Sequence, residues 1–409
     1  MKKEKKEINI VANTMVEPGM SGGNRIFIEN AKRWVKKGSN LRVFTSSVGK
    51  KICCLSGLCK VEYITWKVPL EKKKLSVCEI VYLYFLALIN GWVNLLKVNF
   101  KKGEIVYSSS DYWPDSLPVF LVKLLNPKVI WVAGFYLFAP KPWQKNSPYK
   151  GKRLFIGLFY WLTQLPIYWI IKRYADIVFV TSEPDVERFV TFKRKVDKIL
   201  VIRGGVDIRP SEKYLFSGNT IPLERKMYDA CFVGRFHPQK GVLELVDIWK
   251  NVCERKPEAK LAMIGIGSLE NEVREKITNL KLKENIELLG FKDGEEKFQI
   301  FKQSKIIIHP AIFDSGGMAA CEAMAWGLPG VSFDLEALKT YYPKGMLKTP
   351  CFNIDKFADN IINLLVNKIL YKKTKEDAIS WAREWDWDKR GNMIYQKLLK
   401  ISKETNAVI

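Results

Sequence analysis

Two short segments in the second half of the chain carry residues whose types and spacing suit a phosphate-bearing leaving group. The first, Gly234-Arg235-Phe236-His237-Pro238-Gln239-Lys240-Gly241, follows an apolar run at 229–233 and precedes a helical pattern. A strand, a glycine turn and a helix amino terminus form an anion site, since unpaired backbone N–H groups and the helix dipole favour negative charge. Arg235 and Lys240 add two cations: a guanidinium grips a diphosphate as a fork, and an ammonium supplies a mobile point charge. If phosphate leaves, such cations stabilise charge that grows in the transition state. Read by itself, the same spacing serves equally well as a pair of exposed surface cations. The second segment is His309-Pro310-Ala311-Ile312-Phe313-Asp314-Ser315-Gly316-Gly317-Met318, running on to Glu322. Asp314 lies on a loop and Glu322 about a turn into the helix that begins near Met318, so both carboxylates can face one ligand and accept hydrogen bonds from a diol. Gly316 and Gly317 allow close backbone approach at that helix start, again suited to phosphate. Taken singly, Asp314 reads as an N-cap and Glu322 as a solvated helix residue, while His309 reads first as a buried strand-end imidazole.

These segments need strands to position them, and apolar runs of strand length alternate with helical stretches along most of the chain. Strands are expected at 8–13, 41–45, 105–108, 129–133, 177–181 and 199–202, then at 229–233, 260–264, 286–288, 305–309 and 330–333. The alternation predicts an α/β protein of two doubly wound, Rossmann-like domains. A polar stretch at 207–227 with Pro210 and Pro222 is read as the linker, giving domains at 1–209 and 210–380. A final amphipathic helix is expected over 379–401. Two uncharged stretches, 80–96 and 154–171, sit at the lower limit for a membrane span, which needs roughly 20 residues. Lys150, Lys152 and Arg153 precede the second, and Lys172 and Arg173 follow it. Buried core helices, spans and helices lying in one leaflet all fit that composition; the flanking cations and many Trp and Tyr favour the last.

A chain of 409 residues with 47% hydrophobic and 27% charged content can bury two cores and is not disordered. The net charge of +24 is unevenly spread: residues 1–209 hold 36 Lys+Arg against 16 Asp+Glu, a net of +20. Such a field attracts polyanions, either nucleic acid or an anionic membrane face. With no nucleic-acid recognition motif, a membrane surface is the expected partner and nucleic acid is not. The eight cysteines form no C-x-x-C pair and read as reduced thiols, not metal ligands. The start, Met1 to Asn13, is basic without an apolar core, so no signal peptide is expected.

Taken in order, these elements resemble the GT-B glycosyltransferases of the retaining, GT4-like group, also called glycosyl transferases group 1. Besides the two segments above, the resemblance rests on Ser21-Gly22-Gly23-Asn24, Ala175-Asp176-Ile177-Val178 with Thr181-Ser182-Glu183, and Gly204-Gly205-Val206-Asp207. It continues through Ile264-Gly265-Ile266-Gly267, Leu289-Gly290-Phe291 and the run from Glu322 to Gly330. The resemblance implies two Rossmann-like domains facing across a cleft, with the last helix, 381–409, returning toward the first domain. It implies a nucleotide-diphosphate sugar as co-substrate, no metal or other cofactor, and transfer with retained anomeric configuration by front-face attack. Carried over by position, Arg235 and Lys240 meet the donor diphosphate, Asp314 the donor sugar and Glu322 the ribose. Gly22 and Gly23 approach the phosphates from the first domain, Gly316, Gly317 and Met318 line the donor, and Phe291 lies near the base. Two departures stand out. Asp314 replaces the usual Glu, and the first domain lacks the histidine many relatives carry, with Gly134 or Phe135 in that region.

The first domain of such enzymes receives the acceptor, and here it holds both the positive charge and the apolar stretches. That combination implies a lipid-linked saccharide or glycolipid acceptor, met by a cytoplasmic protein held at the membrane face. Asp111, Tyr112 and Phe135 are the acceptor-side candidates, with Trp113 beside them. A sugar-nucleotide epimerase on the same fold and a non-enzymatic membrane-bound nucleotide-sugar binder are the alternatives.

Overall fold

The structure, a computed structural model, describes residues 6–17, 20–69, 76–144 and 147–408. The first seven strands are β1 (Glu7–Ala12), β2 (Asn40–Ser46), β3 (Glu62–Trp66), β4 (Ile105–Ser108), β5 (Ile130–Gly134), β6 (Ile177–Val180) and β7 (Ile199–Val201). They form one sheet in the order β3-β2-β1-β4-β5-β6-β7, every pairing parallel. The remaining six are β8 (Tyr228–Val233), β9 (Leu261–Ile264), β10 (Ile286–Gly290), β11 (Ser304–His309), β12 (Gly330–Phe333) and β13 (Met346–Thr349). These make a second parallel sheet, β10-β9-β8-β11-β12-β13. In both sheets the central strands are buried on both faces, which explains their unbroken apolar runs. Strand order reverses once in each sheet, between β1 and β4 and between β8 and β11. Loops at the carboxyl ends of strands flanking such a switch splay apart and leave room for a ligand.

The chain divides into two compact units. The first comprises 1–139, 158–204 and 387–409, and the second 140–157 and 205–386. Residues 140–157, expected in the first domain, thus belong with the second sheet. Buried Tyr149 is the reason: its hydroxyl accepts a hydrogen bond from Gln239 Nε2 at 3.3 Å, while Arg153 donates to both carboxylate oxygens of Glu272 at 2.7 Å. The stretch read as a linker contains the helix Arg209–Leu215, with Pro210 in its first turn, where proline costs no hydrogen bond. The single helix expected over 379–401 is two helices, Lys368–Arg383 and Trp387–Val408. Between them Trp385 is drawn into the core of the second unit, and its carbonyl accepts from Val206 N–H at 2.8 Å. Trp387 packs in the first unit beneath the Arg33 guanidinium.

In the first unit one face of the sheet is covered by helix Gly22–Lys36 and the last helix, tied by Arg33 to Asp388 at 2.8 Å and Ser39 to Tyr395 at 2.8 Å. The other core gathers Phe44, Val119, Trp131, Phe135, Ile167, Ile171 and Phe189. Helices Val77–Leu96 and Leu154–Tyr174 contain the two uncharged stretches, and by length and composition both are long and apolar enough to cross a membrane. Neither is a buried core helix, because each turns only one side inward and leaves large apolar side chains in solvent.

Candidate active site

In the second unit, the loops after β8 and β11 meet at the switch between those strands. Past β8, Gly234 N–H donates to Ile264 O at 3.0 Å and Phe236 N–H to Ile266 O at 2.9 Å. Phe236 is buried by this stitching, which leaves Arg235 on the open side. Gly241 ends the short turn Pro238–Lys240 with φ at 63°, and a Cβ there would lie 1.9 Å from Pro310 O. Only glycine allows the two loops so close. Gln239 O then accepts from both Ile312 N–H at 3.1 Å and Phe313 N–H at 3.2 Å.

This backbone seam brings Lys240 Nζ to 2.5 Å from Asp314 Oδ2. Asp314 Oδ1 accepts from Gly316 N–H at 3.3 Å, and His309 Nε2 lies 3.5 Å from Oδ2. Burial works against the charged carboxyl, but the Lys240 ammonium and the His309 ring outweigh it and hold Asp314 at about 2. Burial pulls His309 down despite its acidic neighbour. Burial first, then the cations Arg235, Lys240 and Arg153, pull His237 to about 4. Two neutral imidazoles thus sit against a fixed anion and a cluster of cations.

Gly317 precedes the helix Met318–Ala325, and a Cβ on it would come within 2.8 Å of the His309 ring. The Tyr342 hydroxyl donates to Gly317 O and accepts from Cys321 N–H at 3.1 Å, fixing the helix start. Tyr342 in turn stacks on Trp385, with ring centroids 5.7 Å apart. Glu322 is buried at 5% exposure, where Lys297 Nζ donates to its Oε2 at 2.8 Å and to Asp293 Oδ1 at 2.8 Å. Sequence reasoning missed Lys297: on the charged helix Gly294–Lys302 it looks like any surface lysine. Phe291 stands exposed past Gly290 at the end of β10, two strands from β8. Among the described residues no group of three or more His, Cys, Asp or Glu is placed to hold a metal ion.

In the first unit, Gly22 and Gly23 open helix Gly22–Lys36, whose cap is Ser21 Oγ accepting from Asn24 N–H at 3.1 Å. A Cβ on Gly23 would lie 3.0 Å from the Tyr136 ring, so the loop lies flat on that phenol. Asp111 Oδ2 accepts from Gln164 Nε2 at 2.7 Å, and burial pushes its carboxyl up to about 6. Tyr112 is half exposed, edge-to-face with Tyr84 at 6.5 Å. Phe135 corrects the sequence reading: it is 1% exposed, packed against Phe138 and Phe189 at 4.5 and 5.1 Å, and offers nothing to an acceptor. The side chain it leaves in that region is Tyr136, hydrogen-bonded to the Tyr107 hydroxyl. Asp115, also missed, lies fully buried at the β1/β4 switch and accepts from Thr14 N–H at 3.1 Å, Thr14 Oγ1 at 3.0 Å, Ser109 at 3.2 Å and Ser110 at 2.5 Å.

Two doubly wound parallel sheets, each with a glycine-opened helix at its switch, define a GT-B fold. Sucrose-phosphate synthase from Thermosynechococcus elongatus shares it with a TM-score of 0.73 over 97% of this chain and 99% of that one, at 15% identity. Residues 219–381 match the model of the family described as glycosyl transferases group 1. Poly(glycerol-phosphate) alpha-glucosyltransferase of Bacillus subtilis is 25% identical over 231 residues, 53% of this chain and 33% of that protein. UDP-Gal:alpha-D-GlcNAc-diphosphoundecaprenol alpha-1,3-galactosyltransferase of Escherichia coli is 25% identical over 184 residues, 42% of this chain and 46% of that protein. The chain thus spans a third to about half the length of these curated relatives.

Proposed function

We propose that the protein is a retaining glycosyltransferase that moves a sugar from a nucleotide-diphosphate donor to a lipid-linked saccharide or glycolipid, without a metal ion. The observation that carries this reading is the Lys240–Asp314 contact at 2.5 Å, held by the seam between the β8 and β11 loops. It sets a cation beside an acid whose charge survives at any physiological pH. As the anomeric C–O bond breaks, charge passes to the diphosphate, where Arg235 and Lys240 stabilise it, with the start of helix Met318–Ala325 beside them. Asp314 accepts a hydrogen bond from a donor-sugar hydroxyl and Glu322 from the ribose. The acceptor hydroxyl attacks from the face the phosphate leaves, and its proton goes to the departing phosphate oxygen. No protein base is then required. The relative named for an undecaprenol-linked sugar supports an acceptor of the lipid-linked class. The basic first half supports a cytoplasmic protein held peripherally at an anionic membrane.

The test is calorimetric binding of UDP, GDP and ADP and their sugar conjugates in EDTA. One nucleotide is expected to bind, and to lose binding in Arg235→Ala and Glu322→Ala. If none binds in the presence of membrane lipid, the reading is wrong.

A further inference from the structure

The apolar helices of the first unit present a surface that water does not explain. On helix Val77–Leu96 the inward positions recur at Leu83, Ala87, Gly91 and Leu95, and the outward ones at Tyr82, Phe85, Ile89, Val93 and Leu96. On helix Leu154–Tyr174 the inward positions are Gln164, Ile167 and Ile171, and the outward ones Phe159, Leu162, Leu165 and Trp169. A helix lying on a soluble sheet carries charged or polar residues on its outer stripe. These outer stripes carry no charged residue, and Phe159, Trp169 and Ile89 are 67%, 58% and 53% exposed.

The two stripes belong to one face. The Trp113 indole N–H donates to Thr163 O at 2.8 Å, and its backbone N–H donates to the Tyr84 hydroxyl at 2.9 Å. Phe120 packs on Tyr174 with centroids 4.9 Å apart. Helix Trp113–Leu125 therefore lies between the other two, and adds exposed Tyr112, Leu124 and Leu125. Contiguous apolar surface on this scale marks an interaction site.

Charge identifies the occupant. Lys97, Lys101 and Lys102 follow the first helix, and Lys172 and Arg173 close the second, which contains no acid. The Lys172 ammonium lies over the rings of Tyr168 and Trp169, 5.5 and 5.7 Å from their centroids. A ring with a cation at its rim fits the boundary between acyl chains and phosphates. The inner stripes stay attached to the unit, with Leu95, Ile167 and Ile171 in the core beneath the sheet. A helix so attached has only one side to give to lipid, which suits one leaflet and not a crossing.

We propose that this three-helix face docks into one leaflet of an anionic bilayer, with its outer stripes among the acyl chains and its cations among the phosphates. The inference deepens the glycosyltransferase reading, since it says where a lipid-linked acceptor is met, and the test separates the two. The full chain is sedimented with vesicles of phosphatidylcholine, with or without phosphatidylglycerol. Binding is expected with the anionic vesicles, and to weaken as salt is raised. Ile89→Asp with Phe159→Asp, and separately Lys97→Glu with Lys101→Glu, are each expected to lower partitioning about tenfold or more while melting temperature and nucleotide binding hold. Unchanged partitioning in both variants overturns the proposal. So does a wild-type dimer that ignores vesicles, because a second copy would then cover the face. Resistance of membrane-bound protein to alkaline carbonate extraction overturns it too, in favour of spans. Vesicle binding without any nucleotide binding leaves this inference standing and sinks the catalytic one.

Discussion

At the scale of single residues, the site is a set of charges that hold one another in place. Asp314 sits at about 2 against an ordinary 3.8, so the unfolded chain takes up that proton before the folded one does. The stability this contributes, on the order of 2 kcal/mol, is complete above pH 3.8 and lost as pH falls toward 2. Asp314→Asn should flatten the acid limb of a pH–denaturation series and lower kcat roughly 10²–10³-fold. Because Lys240 shares the contact, Lys240→Ala with Asp314→Asn should cost less than the sum of the single changes. Lys297 is expected to matter through Glu322. Lys297→Met takes the ammonium away from a buried carboxylate and should cost about 3–5 kcal/mol in chemical denaturation, with weaker nucleotide binding. Lys297→Arg should recover part of both. Finally, the chain has only two histidines, so proton NMR can follow each. His237 should titrate near 4 in the free protein and move upward when a nucleoside diphosphate neutralises Arg235 and Lys240.

At the scale of elements, the backbone seam is what converts two loops into one site. Gly241→Ala must leave a left-handed φ or push Pro310 away, so a loss of about 1–2 kcal/mol or more is expected by calorimetry, with Lys240 displaced from Asp314. Central strands were legible because both their faces are buried and their residues read as continuous apolar runs. The two strands that went unseen, β3 and β13, lie at sheet edges. EYITW and MLKT mix charge with apolar residues because one side of an edge strand meets water. The Asp314 loop was legible since glycines and an acid beside a strand end are a local signal. Lys297, Asp115 and Tyr136 were not, because their roles depend on partners far off in sequence: Glu322 for the first, Thr14 for the second and the Gly23 loop for the third. Phe135 misled for the same reason, its neighbours Tyr168 and Phe189 being supplied by later segments.

At the scale of the whole chain, each unit is closed by a distant piece of sequence. The last helix completes the first unit through Asp388 and Tyr395, so removing 387–409 should abolish that unit's transition in calorimetry and leave a second one near its original temperature. The second unit is closed by Trp385, fully buried and stacked on the Tyr342 ring whose hydroxyl pins Gly317. That stacking sets a rule for anyone recombining such units between enzymes. The region shared with the family ends at 381, four residues short of the indole. A chimera spliced there would inherit a glycine loop lacking its backstop, whereas a junction after Asp386 would transplant the loop and its support as one inheritable block.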